Sequence, residues 1–168
     1  MNRRTVIAMG SNLGDRLDYL QGALDGLFDT PRISFVAVSP VYQTAPVGGP
    51  EQPDYLNAVV IAETSMPARA VLERCLGLED AFGRVRGERC GPRTLDLDLI
   101  IYGDEVSNSP ELTLPHPRAH ERAFVLAPWH DADPQAQLTG RGQVADLLAA
   151  LGTAGVTRLA GAVLHPPA

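Results

Sequence analysis

The sequence contains no lysine, although it carries 14 basic residues, and every one of them is arginine. This absence excludes catalysis through a lysine Schiff base, and it excludes the type of phosphate-binding loop that depends on a lysine. Any phosphate group would therefore be bound by arginine, whose planar fork of N–H donors pairs with phosphate oxygens.

Cysteine and long apolar runs are also scarce. Cys75 and Cys90 are too few for a disulfide framework and lack the spacing of a metal-binding motif. No stretch approaches the ~20 apolar residues that cross a bilayer. The apolar run near the N-terminus ends at Gly10, which is too early for a secretory signal. We therefore expect a reduced cytoplasmic protein, with no membrane partner.

The composition is that of an ordinary globular domain, which we expect to span 1–168 as a monomer. Apolar residues make up 45% and charged residues 20%, so wholesale disorder is excluded. The formal net charge of −6 disfavours generic binding to nucleic acid. The segment 154–168 ends in two consecutive prolines before the last alanine, and we predict that it is a loose tail.

The hydrophobic pattern predicts alternating strands and helices. The predicted strands are 5–9, 33–42, 55–63 and 95–102, and the predicted helices are 15–28, a second one ending near 82 with Ser65 as its N-cap, and 144–151. Short strands and loops are expected between 103 and 143. The order of the first six elements is that of a ferredoxin-like α+β sandwich, with an antiparallel sheet, both helices on one face, and C-terminal additions.

The strongest chemical signal is the pair Asp96 and Asp98 in the fourth predicted strand. Alternate strand residues face the same side, so the two carboxylates project together, about 6.5–7 Å apart. The other side is apolar and is expected to face the core through Leu95, Leu97, Leu99 and Ile101. Paired carboxylates repel each other unless a cation lies between them, and Mg²⁺ prefers one or two carboxylates with phosphate oxygens. The pattern indicates a magnesium site, or else the solvated face of an amphipathic strand.

Four arginines lie just before this pair, in a stretch that glycine and proline mark as a loop. They are Arg84, Arg86, Arg89 and Arg93. An arginine-rich loop beside a magnesium site suits the transfer of a polyphosphate, because the metal and the guanidinium groups neutralise charge that develops on the phosphates. The alternative is a charged loop that is merely exposed to solvent.

Six further residues are weaker candidates, and each has an ordinary structural alternative as a core or surface side chain. They are Glu79, His116, Arg122, Phe124, Tyr55 and Asn57. Tyr55 and Asn57 stand two apart on a predicted strand and so share a face. The Asn57 amide offers both a donor and an acceptor, as the recognition of a flat heterocycle requires.

Several short motifs occur in the order typical of one known family. They are 10–14 (GSNLG), 52–57 (QPDYLN), 83–86 (GRVR), 91–98 (GPRTLDLD), 115–116 (PH) and 122–124 (RAF). From about Thr5 to Leu151 the chain resembles the 6-hydroxymethyl-7,8-dihydropterin pyrophosphokinases. The resemblance implies transfer of pyrophosphate from ATP to the hydroxymethyl group of the pterin, with release of AMP, in folate synthesis. Cys90 stands where the family often carries a tryptophan.

The resemblance also implies roles for individual residues. Asp96 and Asp98 would hold two Mg²⁺ ions and, with Arg84 and Arg93, would form the catalytic group. The residues implied for ATP are Glu79, Arg84, Arg86, Arg93, His116, Arg122 and the backbone around Leu99 and Ile100. The residues implied for the pterin are Thr44, Ala45, Val47, Tyr55, Asn57 and Phe124.

Two other functional classes are compatible with the same residues. One is a different magnesium-dependent phosphotransferase or hydrolase, which would release ADP or inorganic phosphate instead of AMP. The other is a non-catalytic ferredoxin-like module that binds a small ligand or RNA through the arginine-rich loop. Such a module has no need of the paired aspartates, and no aromatic-rich strand supports binding to RNA.

Overall fold

Up to residue 102, strands and helices follow one another in the order that the hydrophobic pattern predicts. The computed structural model describes residues 2–45, 52–83 and 94–167. The first two of these ranges contain β1 (Arg3–Ser11), α1 (Arg16–Phe28), β2 (Ile33–Val38), β3 (Tyr42–Thr44), β4 (Tyr55–Thr64) and α2 (Ala68–Ala81). The third range contains β5 (Asp96–Tyr102), β6 (Ser107–Ser109), β7 (Leu112–Leu114), a 3₁₀ turn (Ala119–Glu121), α3 (Ala123–Ala132), β8 (Gln137–Leu138), β9 (Gly142–Gln143), α4 (Val144–Leu151) and β10 (Val156–Arg158).

The main sheet is antiparallel and has the order β10-β3-β4-β1-β5. β2 pairs with the same edge of β4 as β3 does, but further along that strand. This order confirms the predicted ferredoxin-like α+β fold. It leaves β5 at an edge of the sheet. β1 is longer than predicted, because Gly10 pairs with β4 on one side and with β5 on the other. The strand predicted over 33–42 is divided in two near Pro40, which has no N–H to give to a ladder.

Helices α1 and α2 cover one face of the sheet, as predicted, and enclose the larger core. The side chain of Asp15 caps α1 by accepting the N–H of Asp18. The predicted N-cap of α2 is wrong, because the cap is Pro67 and makes no side-chain hydrogen bond. The Ser65 hydroxyl instead accepts a hydrogen bond from Arg32 Nε at 2.9 Å.

Helices α3 and α4 cover the opposite face and enclose a second core around Trp129. Sequence patterns predicted only strands and loops where α3 lies, since Pro128 inside it is a residue that normally ends a helix. The Tyr42 hydroxyl donates a hydrogen bond to the Asp131 carboxylate and so ties this helix to β3. A register shift in the β1–β5 pairing directs the Ile101 side chain into the second core. The prediction that Ile101 lies on the same face of the sheet as Leu99 is therefore wrong.

The end of the chain packs against the domain, so the loose tail predicted for 154–168 is not what the described residues show. β10 pairs with β3, Leu164 is buried in the larger core, and the Gln21 side chain hydrogen-bonds the backbone N–H and carbonyl of His165. These partners are far away in sequence and leave no local pattern. None of the helices in the described ranges is long and apolar enough to cross a membrane.

Glycines on α1 let the two helices of the first face approach closely. A Cβ added at Gly26 would lie 2.5 Å from Leu78 Cδ2, and one added at Gly22 would lie 2.6 Å from Phe82 Cζ. Real Cβ atoms essentially never approach that closely, so either addition would force the Leu78 or Phe82 side chain, or α2 itself, to shift. The packing of Leu78 and Phe82 against α1 therefore depends on these two missing side chains.

We predict that Gly26→Ala lowers the free energy of unfolding by about 1–2 kcal/mol, because overpacking against buried Leu78 outweighs the gain in helix propensity. Gly77→Ala is the matched control, since its added Cβ would have no atom within 4 Å apart from its chain neighbours and the backbone of its own helix. That control should be stabilising by about 0.5–1 kcal/mol. Urea denaturation of both variants measures the difference, and equal stabilisation by both would refute the close approach.

Candidate active site

Two adjoining cavities meet at the paired aspartates of β5. The smaller has a volume of about 190 Å³ and the larger about 500 Å³. Asp96, Asp98 and Arg122 line both of them. Because β5 is an edge strand, its carboxylates are reachable from the sheet face and also from around the edge. The carboxylate pair therefore lies where molecules bound in the two cavities would touch.

The smaller cavity lies on the sheet face that α3 covers, and small residues of β1 form its floor. Gly10 pairs with Asn57 on one side and with Asp96 on the other. A Cβ at Gly10 would lie 3.0 Å from Asn57 Oδ1 and 3.4 Å from Tyr55 Cδ1. The missing side chain thus leaves an open space between an amide, an aromatic ring and a carboxylate.

The walls of the smaller cavity combine flat apolar surfaces with a fixed amide. Tyr55 and Phe124 line it, together with Thr44 and Ala45. The buried Asn57 Nδ2 donates to Thr44 Oγ1 at 2.8 Å, which fixes the orientation of the amide. This arrangement suits a planar heterocycle with polar edges.

The larger cavity curves around the edge of β5, between α2 and the β6–β7 hairpin. From α2 it is lined by Leu72, Leu76 and Glu79, which are spaced to share one face of the helix. Leu76 is 43% exposed, although its apolar character and helical spacing would favour a place in the core. Apolar residues exposed in a cavity offer a surface for an aromatic base, and sequence reasoning missed them because they fit the helical core pattern.

Glu79 is only 4% exposed and acts on the backbone of β5. Its Oε2 accepts the N–H of Leu97 at 2.8 Å. The carboxylate thus satisfies a backbone donor on the outer edge of the strand, between the two aspartates. Glu79 therefore helps to fix the strand that carries them, and it also lines the larger cavity.

Arg122 links the aspartates to the smaller cavity. Its Nη1 lies 3.7 Å from Asp98 Oδ2, and its guanidinium lies 5.6 Å from the centre of the Phe124 ring. The Asp98 side chain is 41% exposed, so it can exchange this contact for a ligand. Within the described residues, no group of three or more His, Cys, Asp or Glu side chains forms a complete metal site. Two carboxylates suit Mg²⁺, which completes its shell with phosphate oxygens and water.

His116 is held at the edge of the larger cavity by two hydrogen bonds. Its backbone N–H donates to the Ile100 carbonyl at 2.8 Å, and its Nδ1 accepts the N–H of Arg118 at 3.2 Å. Burial lowers the pKa of the His116 imidazole, and Asp98 opposes that shift. The ring is therefore neutral at pH 7, with Nε2–H as its donor.

Comparison with known proteins identifies the family. The model of the 7,8-dihydro-6-hydroxymethylpterin-pyrophosphokinase family matches residues 6–134. That range includes the described residues that line both cavities.

The chain belongs to this family.

Curated relatives in several bacteria carry the name 2-amino-4-hydroxy-6-hydroxymethyldihydropteridine pyrophosphokinase. The Mycobacterium leprae protein is 51% identical over 160 residues, covering 88% of this chain and 82% of the relative. The Mycobacterium tuberculosis protein is 48% identical over 149 residues, covering 83% and 77%. The Pseudomonas aeruginosa protein is 39% identical over 162 residues, covering 96% and 100%.

Solved structures with the same fold come from longer chains. A Plasmodium falciparum HPPK-DHPS variant with pterin and p-hydroxybenzoate matches with a TM-score of 0.71 at 13% identity, covering 89% of this chain and 44% of that one. An HPPK-DHPS in complex with substrates matches with a TM-score of 0.70 at 9% identity, covering 89% and 43%. The chain thus spans less than half of these solved chains, and the likeness shows the fold.

The structure brings most of the residues implied by the family resemblance to one place. The residues that line a cavity are Thr44, Ala45, Tyr55, Asn57, Glu79, Asp96, Asp98, Leu99, His116, Arg122 and Phe124. Ile100 lines neither cavity, because its side chain is buried in the second core. The residues that lie outside the described part of the chain are Val47, Arg84, Arg86, Arg89, Cys90 and Arg93.

Cys75 lies in the larger core, under the face of α2 that packs on the sheet. Burial raises the pKa of its thiol to about 12, and the Glu79 and Asp98 carboxylates add to the shift. Because the thiolate is the reactive form, this thiol is chemically inert in the folded protein.

We predict that iodoacetamide at pH 8 labels Cys75 roughly 100-fold more slowly in the native protein than in urea. Tryptic cleavage after Arg74 and Arg89 places the two cysteines on different peptides, so mass spectrometry reports on Cys75 alone. Equal rates of labelling in the native and unfolded protein would contradict its burial.

Proposed function

We propose that this protein transfers pyrophosphate from ATP to the hydroxymethyl group of 6-hydroxymethyl-7,8-dihydropterin, a step of folate synthesis. The pterin hydroxyl oxygen attacks the β-phosphorus of ATP, the bond between that phosphorus and the α–β bridging oxygen breaks, and AMP leaves. Membership of the pyrophosphokinase family supports the reaction. The structural observation that carries it is the pair Asp96 and Asp98 where the two cavities meet.

Asp96 and Asp98 would hold two Mg²⁺ ions. When bound, such ions neutralise phosphate oxygens and orient the triphosphate. The exposed Asp98 carboxylate and its weak contact with Arg122 support this assignment, because that carboxylate can exchange the contact for a metal at little cost. The same contact lets Arg122 turn from Asp98 towards a phosphate oxygen.

The larger cavity is assigned to ATP. Leu72 and Leu76 offer apolar contact to the base, and strand alternation places the Leu99 N–H on the same outer edge as the Leu97 N–H that binds Glu79. The Nε2–H of neutral His116 donates to a phosphate oxygen. Family resemblance assigns Arg84, Arg86 and Arg93 to the triphosphate, with Arg84 and Arg93 acting in the transfer step. Among the described residues that line the larger cavity, Arg122 is the one arginine. By the resemblance, Arg84, Arg86 and Arg93 would add the further positive charge that a triphosphate needs.

The smaller cavity is assigned to the pterin. Tyr55 and Phe124 would contact the faces of the ring, and Asn57 would read its polar edge. Thr44, Ala45 and, by resemblance, Val47 complete the slot. The hydroxymethyl group would then point to the aspartates, where the cavity assigned to ATP meets the cavity assigned to the pterin. An alcohol so placed needs positioning and charge neutralisation more than a strong base. One chain supplies all of these residues, which supports a monomer as the active unit.

Product analysis tests the proposal directly. We predict that ATP, Mg²⁺ and the hydroxymethyl pterin yield AMP and a pyrophosphorylated pterin in equal amounts, and that omitting any one stops the reaction. Asp98→Asn should lower kcat/KM roughly 100-fold or more. Asp104→Asn is the matched control. That aspartate is 97% exposed, so its replacement should leave kcat/KM unchanged. Release of ADP would indicate a simple kinase, and release of inorganic phosphate without an acceptor would indicate a hydrolase.

Gly10→Ala tests which cavity takes the pterin. The added methyl group enters the space between Asn57 and Tyr55, so we predict a rise in the KM for the pterin of roughly tenfold, with the KM for ATP within about twofold. Steady-state kinetics with each substrate varied in turn measures the split. A rise in the KM for ATP alone would reverse the assignment of the two cavities.

A further inference from the structure

Residues 52–54 lead directly into the strand that lines the smaller cavity, and side chains from other elements hold them. Asn12 is fully buried, and its Nδ2 donates to Gln52 Oε1 at 2.7 Å and to the carbonyl of the following proline at 3.1 Å. Gln43 Nε2, from β3, donates to Asp54 Oδ2 at 3.0 Å. The backbone before the cavity is thus fixed from two sides.

Arg16 supplies a third contact, from the start of α1. Its Nη1 donates to the Asp54 carbonyl at 2.8 Å, and its side chain is half-buried. The N-terminus of a helix attracts anions such as Asp18 in the same turn, and it disfavours a cation. Arg16 therefore stands against the helix dipole, and its favourable interaction is the charge-assisted hydrogen bond to the neighbouring segment.

This hydrogen bond acts one residue away from the cavity wall. Asp54 is followed by Tyr55, whose ring borders the open space at Gly10, and two residues later by Asn57. A shift of the Asp54 carbonyl would turn the first residue of β4 and move the ring. We propose that Arg16 is a positioning residue that sets the geometry of the pterin cavity, an inference that rests on the proposed function.

The test replaces Arg16 by Met, which keeps the apolar stem and removes the donors. We expect the KM for the pterin to rise about tenfold, as for the loss of one charge-assisted hydrogen bond. The KM for ATP should stay within about twofold, and the Tm should stay near that of the wild type, because removing the cation relieves the helix dipole. Arg16→Lys, which retains one donor, should restore most of the affinity for the pterin.

Arg32→Met is the matched control. Arg32 also donates to a backbone carbonyl, that of Ser65, but at the opposite end of β4 from Tyr55 and Asn57. Its replacement should lower the Tm and leave both KM values unchanged. An unchanged KM for the pterin in Arg16→Met would overturn the proposal, as would an equal rise in both KM values with a lower Tm.

Hydrogen exchange provides a readout that does not depend on activity. In Arg16→Met the amides of 55–57 should exchange about tenfold faster, while those of 59–62, in the middle of the same strand, should be unchanged. Unchanged exchange at 55–57 would overturn the positioning role even if the wild type is fully active. A wild type that makes no AMP would instead refute the proposed function, and the exchange data would still decide whether Arg16 holds the segment.

Discussion

The mutual repulsion of two carboxylates on one face of an edge strand is the constraint around which the structure is arranged. Asp96 and Asp98 point the same way because a strand alternates, and β5 keeps them in reach of solvent because it ends the sheet. On the neighbouring strand β1, Gly10 pairs with Asp96 and Ala8 pairs with Asp98. Small residues there leave the carboxylates room for ligands on the sheet face.

Each layer of the sandwich contributes one wall to the site. On the first face, Leu78 of α2 packs closely against Gly26 of α1, and Glu79 of α2 accepts the N–H of Leu97 on β5. On the second face, α3 brings Phe124 over the sheet, and Arg122 precedes its first turn. The aspartates lie between these layers. The edge strand, held by contacts from both layers, thus presents one carboxylate pair to both cavities, which is the geometry that transfer between two bound molecules would require.

Local patterns predicted the fold class and the shared face of Asp96 and Asp98, but not every element that surrounds them. The alternation around Asp96 is a property of consecutive residues, so the carboxylate pair could be predicted without knowing the fold. Leu76 could not be placed, because an apolar residue at helical spacing has the same pattern in a core and in a cavity wall. The helix around Pro128 and the pairing of β10 depend on burial and on distant partners. Arg16 carries no signal of its own, since its acceptor lies 38 residues away.

The most direct test of the account is the location of the metal in a ternary complex. Crystals grown with Mn²⁺, a non-hydrolysable ATP analogue and the hydroxymethyl pterin would show the metal by anomalous scattering. The account predicts two peaks within coordination distance of the Asp96 and Asp98 carboxylates, with the triphosphate in the larger cavity and the pterin ring in the smaller one. Metal bound elsewhere, or both ligands in one cavity, would contradict it.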